Sequence, residues 1–109
     1  MSVTVCPSGF AAAPADGVWQ VLTTPERFGD WQDARVVAVR PSGPVVAGQQ
    51  VDLTAGWLGI RLPVRIDVDA VDQHRRWLQL RVHLPLGIVN YERVTLTETA
   101  PDRTLVRFN

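Results

Sequence analysis

A chain of 109 residues carries sequence for one domain, 1–109, and can bury roughly two thirds of the surface its unfolded form exposes. Its charge is balanced at 11 basic and 11 acidic residues, and every basic residue is arginine, which excludes lysine Schiff-base chemistry. The arginines are scattered along the chain, which argues against nucleic acid as a partner.

Other exclusions follow from the same reading. No apolar run approaches the ~18 residues of a membrane span, and the first residues lack the basic and apolar regions of a signal peptide. A single cysteine, Cys6, cannot form an internal disulfide, in keeping with a reducing cytoplasm.

Taken in chain order, residues 2–12 read as a strand, with Val3 and Val5 alternating with Thr4 and Cys6. Residues 13–31 are the one helical stretch. Pro14 suits a first helical position, and Val18, Val21 and Leu22 share a helix face. Thr24 caps a second short helix that opens on Pro25 and Glu26 and carries Phe28 and Trp31 on one side.

The remainder alternates. Strands are expected over 35–40, 48–57, 60–71, 77–84, 88–98 and 104–108, separated by turns rich in Pro, Gly and Asp. In the fourth strand Ile60, Leu62, Val64, Ile66 and Val68 face one way and Arg61, Arg65, Asp67 and Asp69 the other. In the fifth, Leu78, Leu80, Val82 and Leu84 alternate with Gln79, Arg81 and His83. Short turns between strands make an antiparallel meander, so the class is α+β: about seven strands, with two short helices between the first and second.

In this order the stretches APADGVWQVLTTPERFGDW, the entry to the third strand at Gly48 and LPLGIVNYERVTL resemble the START/Bet v 1-like (SRPBCC) superfamily, and within it the polyketide cyclase/dehydrase-like branch. The resemblance spans nearly the whole chain. It implies a helix-grip fold, in which a curved antiparallel sheet wraps a long C-terminal helix around an apolar cavity. This chain departs from the pattern by stopping at Asn109, where that helix would follow. The concave face of Val51, Leu53, Leu62, Val64, Leu80, Val82 and Leu96 is therefore expected either to be covered by a second copy, another segment or lipid, or to be filled by Val18, Leu22, Phe28 and Trp31.

The stock of reactive groups is small. Cys6 has no neighbouring charge or base and reads as a strand residue. His74 falls in a polar turn and His83 on a wet strand face. Neither has metal-ligand spacing, so no metal or cofactor is expected. Trp19, Trp31, Trp57 and Trp77 read as packing residues, with Trp57 also at a cavity edge. Asn90 and Glu92 share the parity of Val94 and Leu96, so without a bulge they point into the apolar concavity. There a carboxylate is costly unless paired or protonated.

Three functions remain open. The first is binding of a hydrophobic small molecule by Trp57, Leu62, Val64, Leu80, Val82, Asn90 and Glu92. The second is a cyclase or dehydratase with Glu92 as general acid or base. The third is docking of a protein partner, or of a second copy as a homodimer, on the open sheet face.

Overall fold

The computed structural model describes residues 8–31 and 34–108; the side chains of Trp31 and Trp57 fall outside that description, as do Cys6 and the first part of the expected opening strand. The elements follow the expected order. Strand β1 (Ser8–Ala11) leads into helix α1 (Ala15–Leu22), a 3-10 turn (Pro25–Arg27) and a short helix α2 (Phe28–Trp31). Then come β2 (Ala34–Arg40), β3 (Gln50–Trp57), β4 (Ile60–Asp72), β5 (Trp77–His83), β6 (Val89–Ala100) and β7 (Arg103–Phe108). They form one seven-stranded curved sheet in the order β1-β7-β6-β5-β4-β3-β2, with every pair antiparallel.

Register puts the apolar residues on one side. Leu53 pairs with Val64, Val51 with Ile66, Ile66 with Val82 and Leu78 with Val94, so these side chains share the concave face. A bulge between Val68 and Ala70 shifts the end of β4 by one residue, which returns Val71 to that face opposite Leu78. Val51, Ile66, Val68, Leu78, Leu80 and Val94 are fully buried there.

Helix α1 packs against β6 and β7, and the 3-10 turn and α2 lie against β2. Phe28 is 0% exposed, and with Trp19 and Leu22 it joins the sheet residues in a single core cluster. Burying each such side chain contributes roughly 1.5–3 kcal/mol. The concavity is thus filled from within beneath the helices, and its floor residues Val51, Leu53, Val64 and Leu80 are not an open apolar surface.

Helix α1 turns differently from expectation. Ala15, Trp19 and Leu22 face the core, while Val18 and Val21 sit at its flank, half-buried. Trp19 wins because it is the largest apolar group on the helix and its indole N–H finds a partner, donating to Gln73 Oε1 at 2.8 Å in the β4–β5 turn. Asp16 forms an ion pair with Arg76 in the same turn, and Thr104 Oγ1 donates to the Ala13 carbonyl at 2.8 Å. Pro14 stands one position ahead of the helix as its N-cap. Thr24 does precede the 3-10 turn, but its hydroxyl donates back to the Gln20 carbonyl at 2.6 Å instead of capping.

Gly29 is required at its place. A Cβ there would meet the Ala34 carbonyl oxygen at 2.7 Å, so only glycine lets α2 lie this close to the start of β2.

Candidate functional site

Two places on the apolar side of the sheet have the features of a site. The first is a cavity of about 400 Å³ between α1 and the β7–β1 edge. Gly17, Val18, Val21 and Leu22 form one wall, and Val106 and Phe108 stand opposite, with β1 closing the side. The wall exists because Trp19 takes the core position, leaving Val18 and Val21 at the flank, where they line the cavity with Val106 and Phe108 of β7. Gly17 contributes no side chain, and a Cβ placed there meets nothing within 4 Å.

The second is the region around Glu92. Strand β6 has no register shift against β5: Leu80 pairs with Glu92 and Val82 with Asn90. Both polar residues therefore share the face of Leu80 and Val82. Glu92 is half-buried, and burial pushes its carboxyl above the usual carboxylate range. Among the described residues no hydrogen bond or ion pair is found for it. On the opposite, polar face the same stretch of β5 and β6 borders a recess of about 170 Å³, among Asp69, Gln79, Tyr91 and Arg93. Tyr91 has the opposite parity and is 73% exposed.

Not all the residues expected at a binding site come together. Leu80 and Val64 are already buried in the core at 1% and 9% exposure, so they form a floor rather than an accessible wall. Leu62 and Val82 are half-buried beside them, and Asn90 is exposed. The side chain of Trp57 lies outside the described residues. Sequence reasoning missed the cavity under α1, since its lining joins residues about ninety positions apart, such as Val18 and Val106. The one available signal was a glycine, Gly17, inside an amphipathic helix, where it costs helix stability.

The outer face of the sheet is a polar network. Asp67 is 8% exposed, and its Oδ2 lies 2.7 Å from His83 Nε2, with Arg65 Nε 3.5 Å from its Oδ1. Arg81 Nε donates to Asp69 Oδ1 at 2.7 Å. Arg93 stacks over Trp77 at 4.4 Å from the ring centre, which places that tryptophan outside the core. Period-2 register gathers Arg35, Arg61, Arg65 and Arg81, distant in sequence, on this one face. No group of three or more potential metal ligands occurs among the described residues.

No family model matches the sequence, and no curated relative does. Solved structures do. The aromatase/cyclase Zhui from Streptomyces sp. R1128 superposes with a TM-score of 0.71 at 22% identity, over 95% of this chain and 63% of that one. Norcoclaurine synthase from Thalictrum flavum, solved with dopamine and hydroxybenzaldehyde, gives 0.66 at 16% identity, over 95% and 65%. Ara h 8.0201 gives 0.69 at 14% identity, over 95% and 72%. This chain has the Bet v 1-like fold. It spans less than two thirds of the length of the aromatase/cyclase, and no long helix follows β7 among the described residues. At these identities the likeness establishes the fold, and a fold of this kind hosts more than one function.

Proposed function

We propose that the protein binds a hydrophobic small molecule in the cavity between α1 and β7. The observation that supports this reading is the cavity itself. It is lined by aliphatic and aromatic side chains and glycine, and its size suits a small apolar ligand. Solved relatives in fold include one with two aromatic compounds bound, which agrees with a ligand-holding role. Of the residues expected from sequence, Leu62, Val82, Asn90 and Glu92 do not line this cavity.

The test is titration with an apolar fluorescent dye. Gly17→Leu puts a side chain into the cavity at a helix position that favours leucine over glycine, so the variant should fold at least as well. Dye affinity should fall about tenfold, the scale of one lost apolar contact set. Unchanged affinity would place the ligand elsewhere.

A second reading rests on Glu92. A carboxyl whose proton is held more tightly because of burial, beside an apolar floor and on the same face as Asn90, is suited to proton transfer at a carbon next to a carbonyl. In that reading the protein is a cyclase or dehydratase of poly-β-keto substrates. Glu92→Gln separates the two readings. Turnover abolished with dye binding kept supports the enzyme; no turnover by the unsubstituted chain leaves the binder.

A further inference from the structure

One end of the sheet carries two hairpin tips, and they share the tripeptide Leu-Gly-Ile. Leu58 and Gly59 join β3 to β4, with Trp57 paired to Ile60 across them. Leu86 and Gly87 lie in the 3-10 turn Pro85–Gly87 between β5 and β6. In both tips the leucine is in the left-handed region, at φ 50° for Leu58 and 67° for Leu86, followed by a glycine at positive φ.

Leucine is a poor choice for such a position. The left-handed conformation costs a branched L-residue roughly 1–2 kcal/mol, and Asn-Gly is the pair that a tight hairpin prefers. The leucines do not recover this by packing. Leu86 is 96% exposed and Leu58 79%, and Ile60 and Ile88 beside them are 56% and 51% exposed. Two tips at one end of the molecule thus hold large aliphatic side chains out into solvent, in a conformation that disfavours them.

The hairpin of β3 and β4 carries charge of one sign near its tip: residues 53–66 hold Arg61 and Arg65 and no acid, while residues 82–91 around the second tip hold neither arginine nor acid. Arg61 Nη2 donates to the Thr54 carbonyl at 2.7 Å and to its hydroxyl at 2.8 Å, which holds the guanidinium beside the first tip. Arg35, exposed on β2, pairs in register with the same Thr54. Protruding aliphatic groups with arginines set behind them complement the interface of an anionic bilayer, where the leucines enter the headgroup region and the guanidiniums meet phosphate. A second copy packed through the same end would set Arg61 and Arg35 against their own counterparts.

We propose that this end of the protein docks on an anionic membrane surface, with Leu58 and Leu86 inserted and Arg61 and Arg35 against the lipid phosphates. The inference does not depend on the cavity having a ligand. It is tested with the 109-residue chain and sedimentable vesicles of phosphatidylcholine, with and without phosphatidylglycerol. Binding should require phosphatidylglycerol and weaken as salt is raised. Leu58→Asn and Leu86→Asn should each lower vesicle affinity about tenfold. Asn accepts the left-handed conformation, so both variants should melt at or above the parent temperature, which separates lost binding from lost folding. Arg61→Gln should lower affinity for the anionic vesicles alone. The proposal is overturned if the parent chain binds neither vesicle, if it binds both equally, or if the leucine variants bind like the parent. It is also overturned if the parent is a dimer that Leu86→Asn dissociates, since a second copy then covers the tips.

Discussion

The core beneath the helices and the two hairpin tips are built on different terms. In the core Phe28, Trp19 and Leu22 join Ile66, Leu78 and Val94 in one cluster, and polar groups reach across to fix the helical segment, Trp19 to Gln73 and Thr104 to Ala13. Toward the tips Leu62 and Val82 are half-buried and Ile60 and Ile88 are exposed. One surface, continuous in register, is core beneath the helices and rim toward the tips. Stability should therefore reside in the core and adaptability to ligand or surface at the tips.

Substitutions can break that contrast, beginning with the largest effect. Ile66→Asp places an unpaired charge at a position that is 0% exposed, and the chain should not fold; a melting transition like the parent's would mean that the core lies elsewhere. Phe28→Ala removes a side chain buried in that core and should cost about 3–5 kcal/mol in urea unfolding. A cost near that of an exposed residue would show that α2 is not part of the core.

Gln73→Ala leaves the Trp19 indole N–H without its acceptor and should cost about 0.5–1.5 kcal/mol. It should also speed hydrogen exchange in α1 more than in β3 and β4. Uniform exchange in all three would deny that this bond fastens the helix.

The smallest effect sharpens the contrast instead. Because burial raises the Glu92 carboxyl above the ordinary value, the folded chain holds that proton more tightly than the unfolded chain. Stability should therefore fall as pH rises from the ordinary carboxylate range through the raised value. Glu92→Gln should remove this loss, stabilising the protein at pH 8 by less than about 1 kcal/mol, since the side chain is only partly buried, and changing nothing at pH 3. A variant less stable than the parent at pH 8 would reveal a partner for the carboxylate.

Strand order, helix position and the side of the sheet that each residue faces were legible because each depends on spacing within a few residues. Ile60 to Val68 alternate with charges in the sequence, and a sheet with one dry face has no other way to hold them. The parity of Asn90 and Glu92 was readable for the same reason, as β6 has no bulge before Glu98. Spacing along the chain did not show how far each residue is buried. Leu80 and Leu62 have the same parity, yet one is core and the other rim, because Leu80 joins the cluster with Trp19 and Phe28 and Leu62 does not.

Alternation and turn chemistry by themselves determined the antiparallel sheet, its dry face and the helical insert, since these arise from local geometry and from the sorting of apolar from charged side chains. Tertiary structure alone decided the rotation of α1, the cavity between Val18 and Val106, the pairing of His83 with Asp67 and the gathering of arginines on one face. Each of these joins residues from separate strands or from helix and sheet. Such contacts are set by which large side chain fills the shared space first, a competition that no single stretch of sequence contains.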